Sequence, residues 1–463
     1  MVIDQGTHAT RALALDATGT IRFSAFCNIS LKRIAPDMVE QDAEEIMAST
    51  RTVIHALLRD DFVRSAEIIS AGLATQRSTA IAWDRRSGRP LSPLISWQDR
   101  RQVGWLKQFN RYSKKIKQIT GLQLTPHYGA SKFRWLLDHL PAVRQAKRNG
   151  YLAMGPLAGY LLFHLLKERP FVLDHVNALR TQLLNLDTLE WDPWLQELFG
   201  ISPDWLPVVR PVCNHFGRLR VADIPLVAVN GDQTSAIYCL GQPHPSTAII
   251  NIGTGAFVLL PTGGKRVPEA DLLNGLSSSG MGGCEYMTEG TVNGAGAALD
   301  WAARRWSLKD PVGHLPTWLK RKGEIPVFIN TIGGLGSPWW RQGPAPYLIG
   351  EGKPWQNTVA VVESIIFMLK ANIERMLAAG FSVRQLQVGG GMTRFDSVCQ
   401  LLADLTRIVV YCPAEIEATA RGIAWLTAGR PARWPKPGRG KFFRPASNPG
   451  LDKRYGIFRQ ILK

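Results

Sequence analysis

The chain has 463 residues, of which 45% are hydrophobic and 20% charged, and its formal net charge is +18. That length allows two or three domains with large cores, and the composition excludes a disordered or low-complexity chain. No apolar run reaches the length of a membrane span, and strand-like residues begin at Met1, so no signal peptide is expected.

Met1–Asp16 places two apolar runs, Val2–Ile3 and Ala12–Leu15, on either side of a polar turn around Gly6. This predicts a strand, a tight turn and a returning strand. Asp4 ends the first strand, and Thr7, His8, Thr10 and Arg11 bring donors and a fixed positive charge to the turn. A Gly/Thr turn with exposed N–H groups suits an anionic group such as a phosphate, although one such hairpin is usually only a hairpin. Gln41–Leu58 has helical spacing, Ile68–Thr75 and Ala80–Asp84 read as strands, and Gln76-Arg77-Ser78 lies between them. Leu94–Trp97 leads into the polar run Gln98-Asp99-Arg100-Arg101. Ser131–Leu140 reads as a helix, and so does Leu152–Leu166, the most apolar stretch despite Pro156, Gly159 and His164. Pro225–Val229 is a predicted buried strand ending at Gly231-Asp232-Gln233.

The opening pattern recurs at Ile250–Leu260, offset by 247 residues: Ile3, Gly6, Thr7, Ala9 and Leu13 meet Ile250, Gly253, Thr254, Ala256 and Leu260. One such hairpin per half suggests a duplicated fold that clamps a nucleotide between its halves. A helix is predicted from about Gly290 to Arg305 and a long one over Val359–Ala379. Leu386–Val388 is a predicted strand running into Gly389-Gly390-Gly391, and Val409–Cys412 precedes a helix at Ala418–Thr427. Strands and helices alternate throughout, so the predicted class is α/β. Polar clusters stand at strand ends, where open α/β sheets bind ligands. Neither a Walker P-loop nor a Rossmann glycine turn occurs, so a nucleotide would be held by the paired hairpins.

The six cysteines are scattered and read as reduced, mostly buried thiols of a cytoplasmic protein. Half of the excess charge lies in residues 430–463, which hold ten Lys/Arg, one acid and several prolines. They read as an extended basic tail with a final helix from Leu451, and a solvated segment is expected in preference to a nucleic-acid or lipid contact.

Taken together, Asp4-Gln5-Gly6-Thr7, Gln76-Arg77, Trp97–Arg101, Thr188-Leu189-Glu190-Trp191-Asp192, Gly231-Asp232-Gln233, Gly253-Thr254-Gly255 and Gly389-Gly390-Gly391 resemble the FGGY carbohydrate kinases, most nearly the glycerol kinases. The resemblance covers about residues 1–430. It implies two ribonuclease-H-like domains of the actin and hexokinase type with a cleft between them, over 1–242 and 247–429, followed by the basic tail 430–463. It also implies ATP-dependent phosphorylation of a sugar or polyol, with Mg²⁺, and a homo-oligomer. By resemblance Asp232 is the general base and Asp4 holds Mg²⁺ through water. Thr7, His8, Ala9 and Arg11 face the transferring phosphate. Gly253 and Thr254 hold the other phosphates, while Gly296, Asp300, Gly390, Gly391 and Phe395 lie on the nucleotide side. Gln76, Arg77, Ser78, Trp97, His127, Tyr128, Asp232, Gln233 and Phe257 line the acceptor pocket.

The chain departs from the glycerol-kinase pattern in that pocket. Ser78 stands where a glutamate grips glycerol, and His127 stands where a tyrosine is usual, with Tyr128 adjacent. On the nucleotide side, Phe395 replaces an asparagine and Asp300 a glutamine. A pocket that loses its hydrogen-bonding partners loses affinity for the hydroxyls they served, so glycerol is expected to be a poor acceptor and a larger polyol or ketose a better one. A non-catalytic sugar- or nucleotide-binding protein is the competing reading, and retention of both Asp4 and Asp232 argues against it. An actin- or chaperone-like ATPase is disfavoured by the 76–78 and 97–101 segments.

Overall fold

The computed structural model describes residues 1–268, 271–414, 417–435 and 438–462. They form two compact units. The first takes Met1–Pro243, Gly275–Tyr286 and Glu417–Pro435; the second takes His244–Asn274, Met287–Ile416 and Lys436–Lys463. Two later segments, Gly275–Tyr286 and Glu417–Pro435, thus join the first unit across the contiguous division at 242 and 247.

In the first unit β1 (Val2–Gln5), β2 (Ala9–Leu15) and β3 (Ile21–Asn28) form an antiparallel meander. Helix α1 (Ala43–Arg59) follows; the Asp42 side chain caps it by accepting from the N–H groups of Glu44 and Glu45. Its inward stripe is Ile46, Thr50, Val53, Ile54 and Leu57. Next come β4 (Ala71–Thr75), β5 (Ala80–Asp84), α2 (Gly129–His139), β6 (Leu152–Pro156), α3 (Leu157–Leu165) and α4 (His175–Leu179). The unit continues with β7 (Cys213–Arg218), β8 (Pro225–Gly231) and the short α5 (Asp232–Ala236). The central sheet has the order β7-β8-β4-β1-β2-β3. Strand β1 is parallel to β4 and β4 to β8, while β7 returns antiparallel to β8. Strands β5 and β6 pair in a separate five-stranded sheet.

The second unit repeats this plan. Its elements are β9 (Thr247–Ile252), β10 (Ala256–Gly263), β11 (Leu273–Gly280), β12 (Gly283–Val292), α6 (Gly296–Arg305), α7 (Pro354–Ala378), β13 (Gln385–Gly389), α8 (Asp396–Thr406) and β14 (Val409–Cys412). After α9 (Ala418–Thr427), which belongs to the first unit, come β15 (Lys441–Phe443) and α10 (Pro449–Ile461). The sheet order is β11-β12-β10-β9-β13-β14-β15. Strand β9 is antiparallel to β10 and parallel to β13, β13 is parallel to β14, and β15 is antiparallel to β14. From β10 to β14 these directions match those from β2 to β8 in the first sheet, and an antiparallel edge strand follows in space in both, so the repeat at offset 247 is a repeat of sheet plan.

Three expectations need correction. Leu152–Leu166 is not one helix: Pro156 brings no N–H and holds Gly155 extended, so 152–156 pairs with β5 and the helix starts at Leu157. The helix expected from Gly290 starts at Gly296, because β12 runs on to Val292. The basic tail is folded, not extended. Residues 441–443 add the last strand of the second sheet, and Leu451, Tyr455, Phe458 and Leu462 are buried in the second unit's core. Their spacing of four, three and four residues makes one apolar helical stripe. Asp452, Lys453 and Arg459 are exposed, while Arg454 turns inward and clamps the buried Glu363 of α7 with two hydrogen bonds of 2.6 Å. The six cysteines are free thiols; Cys239, Cys399 and Cys412 are buried and the other three half-buried. Among the described residues no helix is long and apolar enough to cross a membrane.

Candidate active site

The β1–β2 turn is built from within. Gly6 N–H donates to Ala9 O at 3.0 Å and closes the turn. The Gln76 amide donates to Gly6 O, Gln41 Nε2 donates to Thr7 O, and the two glutamine side chains bond each other at 2.9 Å. Trp97 Nε1 donates to Thr7 Oγ1 at 2.9 Å. Gln76 is thus occupied in bracing the turn, and Gln41, which carries no motif, is its partner. His8 is exposed, and Thr7, Ala9 and Arg11 are half-buried. Backbone groups that are held this way present a preorganised rim to an anion.

Asp4 is buried directly across the ladder from Arg11, whose guanidinium stands 3.4 Å away. The Asp4 pKa is raised to about 7, by burial first and then by the charges of Asp232 and Glu417, against the pull of Arg11. Glu417 also stands 3.8 Å from Arg11. Asp232 opens α5 at the end of β8 and accepts from the Gln233 N–H at 2.7 Å. Its pKa is raised by burial, with Arg77, the Gln233 N–H and Arg180 pulling the other way. Among the described residues no group of three or more His, Cys, Asp or Glu side chains is placed to hold a metal ion. A set of acids around one desolvated carboxylate suits a hard cation that brings other oxygen ligands with it.

Arg77 lies across Gly231, where a Cβ would fall 2.5 Å from its Cδ, and its Nη2 donates to Gln233 Oε1. Ser78 is non-glycine with φ +66°, a left-handed conformation that costs about 1 kcal/mol. Its Oγ is buried without a hydrogen-bond partner among the described residues. Lys132 holds this corner: from α2 its Nζ donates to Ser78 O at 2.7 Å and to His127 O at 2.8 Å. The His127 ring meets the edges of Trp97 and Tyr128 at centroid distances of 5.8 and 5.1 Å. Burial drives the His127 pKa well down, and Lys132, Arg180 and Arg77 lower it further, so its imidazole is neutral. Of the 97–101 run, Asp99 is buried and accepts from the Val39 N–H and from Arg101, so that part of the motif is structural.

Thr419 Oγ1 donates to Asp232 O at 3.2 Å, and Gly422 packs α9 so closely on α5 that a Cβ there would strike the Ser235 carbonyl. Sequence reading missed Gln41, Lys132, Arg180, Glu417, Thr419 and Gly422. Lys132 did leave a signal, because it shares the inward helical stripe of Gly129, Phe133, Leu136 and Leu137. Glu417, Thr419 and Gly422 left none, since they lie beyond the second copy's β14.

In the second unit, Gly253 N–H bonds Gly255 O at 2.9 Å, and Gly253 and Thr254 are exposed. Gly296 starts α6 directly under this turn; a Cβ there would lie 2.8 Å from Gly253 O. Gly390, at φ +94°, packs on Asn251 and Ile252, while Gly391 has open space where a Cβ would stand. Phe257 is half-buried on β10 and Asp300 is exposed on α6. Phe395 departs from expectation: its ring is part of the core and only 8% exposed, because it enters the hydrophobic cluster at the start of α8. At the repeat offset Asn251 stands where Asp4 does, so only the first copy carries the carboxylate.

Two copies of one sheet plan, each carrying a Gly/Thr turn, define a two-domain fold of the actin and hexokinase-like class. Family models for the FGGY family of carbohydrate kinases match the chain with the N-terminal domain over residues 1–239 and the C-terminal domain over 248–429. The glycerol kinase of Halorhodospira halophila is 32% identical, with 92% of this chain and 87% of that protein covered. Among solved structures, Plasmodium falciparum glycerol kinase with ADP superposes with a TM-score of 0.88 at 24% identity, covering 99% of this chain and 97% of that one. A xylulose kinase from Lactobacillus acidophilus reaches 0.85 at 19% identity with the same coverage. The chain belongs to the FGGY family of carbohydrate kinases. It is a phosphotransferase that takes ATP as donor and an alcohol group of a sugar or polyol as acceptor.

Proposed function

We propose that the acceptor is a polyol or sugar larger than glycerol, and that Asp232 takes the proton of its reacting hydroxyl. The observation that carries this reading is the corner around Asp232, with Arg77 across Gly231 and the small Ser78 beside it. The hydroxyl oxygen attacks the γ-phosphorus, the bond to the β–γ bridging oxygen breaks, and ADP leaves. Proton transfer to a carboxylate in reach of the hydroxyl accompanies the attack. Arg77 and Gln233, bonded to each other, orient the acceptor. Thr7, His8, Ala9 and Arg11 receive the transferring phosphate, and their charge and donors do most of the catalytic work in phosphoryl transfer. Gly253 and Thr254 serve the remaining phosphates, with Gly296, Asp300, Gly390 and Gly391 toward the nucleoside and Phe257 toward the acceptor. Gln76, Trp97 and Tyr128 shape the acceptor wall. Asp4 would hold Mg²⁺ through water, and when bound the ion neutralises phosphate charge. A cytoplasmic homo-oligomer fits the free thiols and the family.

A coupled ADP-release screen over glycerol, erythritol, xylitol, xylulose and ribulose tests the acceptor, and strong preference for glycerol over all the others sinks it. Asp232→Asn is expected to abolish turnover while nucleotide and acceptor binding by calorimetry persist. Full turnover in that variant would remove Asp232 from the role of base.

A further inference from the structure

We infer that the helical stretch 103–120 of the first unit is a docking face for an anionic lipid surface. This goes beyond the kinase reading and does not depend on the acceptor. Residues 100–137 hold nine Lys/Arg and no Asp/Glu. With residues 430–463, where ten Lys/Arg stand against one acid, they account for the whole formal charge of +18, so the rest of the chain is balanced. In the tail, Arg430, Lys441 and Arg454 meet Glu285, Asp396 and Glu363. Within 100–137, Arg101 pairs with Asp99 and Glu40, Arg134 pairs with Asp138, and Lys132 is buried. Lys107, Arg111, Lys114 and Lys115 are exposed, and none of the four forms an ion pair among the described residues.

Val103–Leu106 and Ser113–Thr120 are α-helical, and Lys107–Tyr112 between them is a 3-10 helix. Leu106, Phe109 and Ile116 seat the stretch on the core. Val103, Lys107, Arg111, Lys114 and Lys115 share the outer face, by their helical spacing and their exposure. Like charges four residues apart repel, and Lys114 and Lys115 occupy the first turn of a helix, where the dipole favours acids. The face is electrostatically unfavourable by itself, and a surface of opposite charge relieves it. The neighbouring helix Pro193–Phe199 adds one exposed acid, Glu197, which the four cations outnumber. The rings beside the face favour lipid over nucleic acid. Lys115 covers the ring of Trp194 at 3.9 Å, Arg111 covers that of Tyr112 at 4.6 Å, and the two half-buried rings meet edge to face at 5.7 Å. A base needs an open ring face to stack on, whereas amphipathic rings flanked by cations suit the headgroup layer of a membrane. A second copy of the chain would bring the same sign of charge and be repelled.

The test is co-sedimentation of the full chain with vesicles of phosphatidylcholine alone and of phosphatidylcholine mixed with phosphatidylglycerol. Binding is expected to the mixed vesicles only, and to vanish in about 1 M salt, where the Debye length is about 3 Å. Each cation near an anionic leaflet strengthens association about fivefold, so changing Lys107, Arg111, Lys114 and Lys115 together to Gln is expected to weaken binding on the order of several hundredfold. Lys107→Gln with Lys114→Gln leaves both cation–ring contacts in place; it should lose on the order of twenty-five-fold, and it decides the matter where the quadruple variant fails to fold. Arg433→Gln with Arg439→Gln, at exposed positions of the tail, should bind as the wild type does. Equal binding to both vesicles, binding to neither, or a loss on changing the tail but not the helical stretch would overturn the inference. Tighter binding to a single-stranded RNA oligonucleotide than to the mixed vesicles, lost in the helical-stretch variants, would overturn it in favour of nucleic acid. Each of these outcomes leaves the kinase reading standing.

Discussion

Lys132→Met tests the electrostatics of the acceptor corner. The lysine is 1% exposed, and burial lowers its pKa from 10.5 to about 7, with Arg101 lowering it and Asp99 opposing. Between pH 7 and 10.5 the folded protein therefore binds fewer protons at this site than the unfolded chain. Stability rises with pH wherever the unfolded state holds more protons. At about 1.36 kcal/mol per pKa unit, the gain from pH 7 to pH 9.5 is about 3 kcal/mol. Methionine has no charge to desolvate, so the variant lacks this gain, although it also leaves the carbonyls of Ser78 and His127 without their donor. The absolute effect at pH 7 is a contest between those terms, but the pH dependence of the difference is not. Urea unfolding of both proteins, followed by tryptophan fluorescence at pH 7 and 9.5, isolates it, because the other titrating groups cancel. The wild type should gain about 3 kcal/mol on the variant over that interval. A difference that stays flat would refute the claim that burial lowers the Lys132 pKa.

Two further substitutions probe the support of the site. Gly422→Ala drives a methyl into the Ser235 carbonyl, an overpacking worth about 1–3 kcal/mol; kcat should fall as α5 and Asp232 shift, while ATP binding by calorimetry holds, and an unchanged kcat would count against this packing as the device that places Asp232. Arg454→Ala strands the buried Glu363, and removing one partner of a buried ion pair costs about 3–5 kcal/mol; thermal unfolding should show the loss, and replacing both residues by leucine should recover most of it.

The sequence by itself determined the α/β class, the duplicated hairpin, and the motifs at Asp4, Gln76-Arg77 and Gly231-Asp232-Gln233. These are local signals: apolar runs, glycine turns and polar residues at strand ends all follow from backbone chemistry within a few residues. The opening hairpin and its echo at 250–260 were legible because the same turn demands the same glycine and threonine twice. The helix boundary near 156 was misread because the apolar run continues across Pro156; the proline marks the break, and pairing with Ala80–Asp84 makes 152–156 a strand.

What the tertiary structure alone decided is long-range. Residues 417–435 leave the second copy's chain and join the first unit, which brings Glu417 and Thr419 to Arg11 and Asp232. The basic tail becomes the last strand and a core helix of the second sheet, because its apolar stripe outweighs its charges, of which Asp452, Lys453 and Arg459 stay exposed. Burial, which no local pattern reports, also sets the chemistry: it raises Asp4, lowers Lys132 and keeps His127 neutral.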